Sequence, residues 1–195
     1  MKHRVLTLSN IKYDKEKLKI LYNKVKQYAV DYGSIREKAT KGLFSAIKME
    51  NLEGKNYLDY EEISELQKLF NPISKSIGNG NIAIVVYQPG YVFFPHTDFS
   101  RKCVIAFPIL PDDGGVGVDL YSHDILDDQG VAYEHDPKFY VGTHQYSTVS
   151  PTLMDVQIVH GVRNDNQVRV QLQFSLYDDF DTCVERIQTG EFFNT

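Results

Sequence analysis

The sequence predicts an α+β chain, with helices first and a sheet second and the strands closing as a sandwich or barrel. Three observations carry this. Residues 14–32 place apolar side chains on one helical face. From Ile82 onward the chain turns to short β-branched and aromatic runs, about seven or eight of them, separated by turn residues. The last of these, Val168 to Leu176, alternates apolar and polar at every step, the period of a strand with two different faces.

At 195 residues the chain can bury a sizeable core as one domain. No repeat, low-complexity tract or linker divides it. We therefore read residues 1–195 as a single unit: 1–80 mainly helical support, 81–177 the barrel core, and 178–195 a C-terminal tail. No apolar run is long enough to cross a bilayer, and the N-terminus lacks the apolar segment of a signal peptide. The expectation is a cytoplasmic protein with no membrane partner. A net charge of −5 argues against a general nucleic-acid surface. Only two cysteines occur, Cys103 and Cys183, far apart, so neither a disulfide framework nor a zinc motif is indicated.

In chain order, Leu18, Leu21, Tyr22, Val25, Ala29 and Tyr32 form the stripe of a first helix that starts at Asp14 and ends at Gly33. The stretch from Ser34 to Leu58 carries no assignable pattern. A second helix is expected from Asp59, with Glu62 at capping-box spacing and a stripe through Ile63, Leu66, Phe70, Ile73 and Ile77 that Pro72 interrupts. The segment Gly78–Asn81 breaks the chain. Ile82–Tyr87 and Cys103–Leu110 read as strands buried on both faces, Pro108 marking an edge or a bulge. After a turn at 112–115 come Val116–Tyr121, Val131–Tyr133, Phe139–Val141, Leu153–Val159 and the alternating Val168–Leu176.

The chemistry centres on His96-Thr97-Asp98. On a strand, residues two apart share a face, so an imidazole and a carboxylate would project side by side. A second imidazole would complete a metal site, and His160, at the end of the apolar run Val156–Val159, is the candidate. Two His and one carboxylate leave open positions, which suits Fe(II) better than the closed tetrahedral set of structural zinc. His123, His135 and His144 are rivals. The first two sit in adjacent His-Asp pairs that would face opposite ways on a strand, and all three read as surface residues. No Ser–His–Asp order, phosphate loop or Cys–His motif supports hydrolytic or phosphoryl chemistry.

The series Tyr87-x-x-Gly90, His96-x-Asp98, Arg101 and Gly114-Gly115, followed by His160-Gly161-Val162-x-Asn164 and Arg169, resembles the Fe(II)/2-oxoglutarate-dependent oxygenase superfamily. It is similar to both the prolyl 4-hydroxylase and the aspartyl/asparaginyl β-hydroxylase branches. The resemblance spans residues 82–177 and implies a double-stranded β-helix, a cupin-like jelly-roll barrel, with the helices beside it as support. It also implies Fe(II), 2-oxoglutarate and O₂ as the reacting set. His96, Asp98 and His160 would hold the metal, and Arg169 would bind the cosubstrate's distal carboxylate. The product would be a hydroxylated C–H on a peptide side chain or small metabolite, with release of succinate and CO₂. Arg169 stands where prolyl 4-hydroxylases commonly have Lys, and Gln171 where many relatives have Ser, so the superfamily is better supported than a branch. A cupin-like metal protein with another reaction, and a binding module without turnover, are the alternatives.

Tyr87 has two readings, a contact for 2-oxoglutarate or a core aromatic at the barrel rim. The final strand has two as well. Its polar face, Arg169, Gln171, Gln173 and Ser175, either meets water or lines the cavity, with Val168 to Leu176 under the helices. The second is adopted, because the helical stripes need a sheet to cover and because Arg169 follows His160 at the spacing the resemblance implies. Gln171 and Gln173 then become cavity residues.

Overall fold

The computed structural model describes residues 4–32, 42–48 and 82–192, except 115, 129, 131 and 165. The expected second helix, with its Ile63–Ile77 stripe, and the break at Gly78–Asn81 lie outside the described residues. Asp14 caps helix α1 (Lys15–Val25), its side chain accepting from the Lys17 N–H at 3.0 Å. The helix is shorter than its apolar stripe suggested. After Val25 one 3₁₀ turn leads into strand β2 (Val30–Asp31), which pairs with β3 (Phe44–Lys48). Pairing with β3 thus overrides the helical period that Ala29 and Tyr32 continued.

The remaining strands are β1 (Val5–Thr7), β4 (Ile82–Tyr87), β5 (Tyr91–His96), β6 (Cys103–Leu110), β7 (Gly117–Tyr121), β8 (Tyr140–Gln145), β9 (Thr152–Asp155), β10 (His160–Asn164) and β11 (Arg169–Leu176). They form two antiparallel sheets, β1-β9-β6-β11-β4-β3-β2 and β5-β10-β7-β8. From β4 onward the chain passes between the large sheet and the small one, with only β7 and β8 consecutive in the same sheet. That winding is the double-stranded β-helix, and the α+β jelly-roll expectation holds.

Several element bounds differ from expectation. Ala132 and Tyr133 are not in a strand, and Phe139 ends a 3₁₀ turn before β8. The run Leu153–Val159 is not one strand. It breaks after Asp155, whose carboxylate accepts from the Gln157 N–H at 2.8 Å and closes a turn. His160 therefore opens β10 rather than closing the preceding strand. Pro108 sits at a bulge in an interior strand, where β6 slips by a residue against Val170/Gln171. The C-terminal segment forms helix α2 (Phe180–Gln188), with Asp179 as its cap.

The main core lies on the outer face of the large sheet. Ile84, Val86, Ile105, Phe107, Val170, Leu172 and Phe174 pack there against Leu18, Leu21 and Val25 of α1 and Phe180, Cys183 and Ile187 of α2. Each such side chain, fully buried, is worth about 1.5–3 kcal/mol relative to exposure. The inner face is split into two smaller clusters. Val104, Ala106, Val118, Leu120, Tyr146, Met154 and Val156 form one, and Ala46, Val85, Tyr87 and Tyr91 the other.

Candidate metal centre and anion pocket

Strands β5 and β10 place His96 and His160 as cross-strand partners. Their ring centroids are 4.4 Å apart. Each ring is oriented in the same way: the Nδ1 of His96 lies 2.8 Å from the Phe94 carbonyl, and the Nδ1 of His160 lies 2.9 Å from the Ile158 carbonyl. A carbonyl only accepts, so Nδ1 carries the proton and the Nε2 lone pair is left for another partner. His96 Nε2 is buried and has no hydrogen bond. Burial, reinforced by His96, pushes the His160 imidazole down to about 3, so it is neutral at ordinary pH.

Asp98 reaches this pair by a turn rather than by strand parity, since β5 ends at His96. Its N–H donates to the Val156 carbonyl at 2.9 Å. Gln157 Nε2 donates to the carbonyls of Asp98 and Arg101 at 2.7 and 2.8 Å, so the turn after β5 is zipped to the turn after β9. Asp98 Oδ1 lies 3.5 Å from His96 Nε2. Burial opposes ionisation of Asp98, but the His96 ring, the Arg101 guanidinium and His160 overcome it and hold the carboxyl well below the usual range. One ligand atom from each of His96, Asp98 and His160 falls within 4.8 Å of the others. Two imidazoles and a carboxylate form a donor set suited to Fe(II), with further positions left for other ligands.

The same cavity runs between the sheets to Arg169, past Phe93, Val118, Met154, Val162, Gln171 and Gln173. It encloses about 40 Å³, room for about one water molecule. The polar face of β11 turns inward: Arg169 and Gln171 are each only 2% exposed. Arg169 donates to the Gly117 carbonyl at 2.7 Å and to Gln171 Oε1 at 3.2 Å, while its Nε is buried without a partner. The rings of Tyr87 and Tyr146 flank its guanidinium at 5.1 and 4.9 Å. Among the described residues no carboxylate pairs with it. A desolvated cation held by carbonyls and aromatic faces has the chemistry to attract an anion.

Asn164 has a structural task, its amide donating to the carbonyls of Tyr87, Gln88 and Gln167. It also accepts from Gly90, which takes the left-handed backbone (φ +80°) of the β4–β5 turn. The rival histidines lie elsewhere. His123 is exposed, and His144 lies 3.4 Å from Thr7 Oγ1. His135 corrects its surface reading: it is half-buried, 2.5 Å from the Tyr121 hydroxyl, and its ring covers Gly161 so closely that a Cβ there would meet it at 2.9 Å. Tyr146 and Gln157 carry no motif that marks them in the sequence; only the fold brings them to the site.

No protein-family model matches the chain, and no curated protein sequence matches it significantly. Solved structures share its fold. The non-heme alpha-ketoglutarate-dependent epimerase SnoN from nogalamycin biosynthesis superposes with a TM-score of 0.54 at 11% identity, over 88% of this chain and 77% of that one. HygX from Streptomyces hygroscopicus, with nickel and 2-oxoglutarate bound, gives 0.53 at 11% identity, over 88% and 82%. A prolyl hydroxylase from Trichoplax adhaerens, in complex with a hypoxia-inducible-factor peptide, gives 0.52 at 10% identity, over 93% and 87%. The chain thus shares the fold of these three proteins.

Proposed function

We propose that the protein is an Fe(II)- and 2-oxoglutarate-dependent oxygenase that hydroxylates a C–H of a peptide side chain or small metabolite. The observation that carries this is one cavity lined both by His96 and His160, two members of a three-ligand cluster with Asp98, and by the buried Arg169 guanidinium, which no carboxylate pairs among the described residues. His96, Asp98 and His160 would hold the metal through Nε2, a carboxylate oxygen and Nε2. Arg169 would bind the distal carboxylate of 2-oxoglutarate through its planar fork. Tyr87 and Tyr146 keep that guanidinium in place and dry, and Gln171 sets its rotation. Iron, once bound, would supply the redox chemistry by which one atom of O₂ enters succinate as 2-oxoglutarate loses CO₂ and the other enters the substrate C–H. At about 40 Å³ the cavity would have to widen to admit a five-carbon diacid. HygX solved with hygromycin B bound and the Trichoplax prolyl hydroxylase solved with a peptide make both substrate classes candidates.

Thermal melting under anaerobic conditions tests the reading. Mn(II) should raise Tm, by the equivalent of about 2.7 kcal/mol at a hundredfold excess over Kd. Addition of 2-oxoglutarate should raise it again, but only with metal present, because the keto acid would chelate that metal. Equal stabilisation of the metal-free protein would sink direct chelation. Succinate release with Fe(II), O₂ and candidate substrate pools then separates an oxygenase from a cupin-like protein of other chemistry and from a binding module.

A further inference from the structure

We infer that Arg101 is a positioning residue for the metal centre, engaging one oxygen of the Asp98 carboxylate so that only the other is offered to a divalent cation. The inference rests on the metal-site reading above and adds to it a residue that fixes the carboxylate's ligation mode.

The geometry is specific. Arg101 Nε donates to Asp98 Oδ2 at 2.6 Å, a charge-assisted contact at the short end of its range. Its Nη1 donates to Gln173 Oε1 at 3.1 Å and to Ser175 Oγ at 3.4 Å, two acceptors on the cavity face of β11. The main chain at both ends of this short segment is held too, since Gln157 binds the carbonyls of Asp98 and Arg101. Asp98 Oδ1, by contrast, faces His96 Nε2 at 3.5 Å, and no hydrogen bond engages it among the described residues.

The carboxylate needs such a brace because β5 has already ended. No strand ladder fixes residues 97–101, and the neighbouring Phe99 is 93% exposed. Without Arg101 the Asp98 side chain could turn both oxygens toward a cation, or swing toward solvent. A bidentate carboxylate would take up a coordination position that oxygenase chemistry needs open. Arginine suits the task where lysine does not: its Nε and Nη1 point to different acceptors, so one rigid group spans from Asp98 to Gln173 and Ser175. An ammonium keeps the charge but cannot make that span with fixed geometry.

Anaerobic titration of the full chain with Co(II), followed by visible absorption, tests this with a readout that needs no turnover. Loss of an outer partner of a metal ligand typically weakens binding by about 10–100-fold. Arg101→Gln should lose affinity on that scale and change the shape and intensity of the Co(II) bands. Arg101→Lys should recover part of the affinity and leave the bands altered. Gln173→Leu removes the far anchor and should produce a smaller change of the same sign. Metal-free melting of each variant reports the fold separately. If Arg101→Gln does not fold, the lysine and Gln173 variants carry the test. Wild-type affinity and spectrum in the folded Arg101 variants, alongside loss of Co(II) by His96→Ala, would overturn this inference alone. If the wild-type protein takes up no Co(II), the metal-site reading falls and this inference falls with it.

Discussion

Tyr87 and Arg169 are cross-strand partners on β4 and β11, and the guanidinium carbon lies 5.1 Å from the tyrosine ring centroid. Tyr146 lies 4.9 Å from the same guanidinium, so among the described residues the cation is met by two rings rather than by a counter-ion. A desolvated cation–π contact is worth about 1–2 kcal/mol. Replacing Tyr87 or Tyr146 by Leu should therefore raise the 2-oxoglutarate Kd roughly 5–30-fold, whereas Phe at either position should stay close to wild type. Calorimetry with Mn(II) present measures this. If Tyr87→Phe is as damaging as Tyr87→Leu, the hydroxyl rather than the ring is what matters.

Arg169→Gln should raise the Kd for 2-oxoglutarate by the equivalent of about 2–5 kcal/mol, the cost of removing one partner from a buried charge pair. Metal affinity should be nearly unchanged, since Arg169 makes no contact with His96, Asp98 or His160. Arg169→Lys should be a partial rescue, keeping the charge and losing the fork. Unaltered cosubstrate binding in the glutamine variant would refute the anion role.

His96→Ala should abolish tight Mn(II) or Fe(II) binding and leave the metal-free melting temperature close to wild type. The ring lies at the end of β5 and takes no part in the main core, so its removal opens no void under the helices. Equilibrium dialysis against metal, paired with melting curves, decides it. Unchanged iron affinity would remove His96 from the ligand set.

Stability of the metal-free protein should depend on pH in a window set by His160. Its folded-state pKa is pushed to about 3 from an ordinary 6.5. Between those values the unfolded chain binds the extra proton, so stability falls as pH drops from about 6.5 toward 3, by up to about 1.4 kcal/mol per unit. Asp98, held below its ordinary 3.8, adds a loss of the same sign only below about pH 4. Melting the apo protein across pH 4–7 should show the first slope, and His160→Gln should flatten it. Parallel curves for the two proteins would place the slope elsewhere.

The barrel was legible because its long strands are either unbroken apolar runs or, in the last, strictly alternating. Arg169 to Leu176 could be divided into a wet and a dry face by inspection, and the fold puts those faces where the division said. Short strands gave no such signal. Phe44–Lys48 lies in the stretch left unassigned: Ala46 and Ile47 are adjacent and both buried, so five residues show no clean alternation. Helix α2 could have been found, since Asp179 is a good cap and Phe180, Cys183 and Ile187 fall three and four apart.

At the site, residue types were readable and the manner of their meeting was not. His96 and Asp98 stand together because a turn folds back, not because a strand alternates. The turn at 156–158 depends on Asp155 catching the Gln157 N–H, a local bond hidden inside an apolar run. Tyr146 becomes a neighbour of Arg169 only through a contact far apart in the chain, which no spacing rule carries.

The two-faced character of β11 also sets how the chain can vary. Because its side chains alternate without exception from Arg169 to Leu176, insertion or deletion of a single residue within it would exchange the faces beyond that point. Gln or Arg would then be driven beneath α1 and α2, and Val or Leu would fill the cavity between the sheets. No neighbouring side chain could absorb that error, since both faces are already buried. Length change in this strand is thus forbidden one residue at a time. The strand behaves as a reading frame, and the cavity and the core are its two phases.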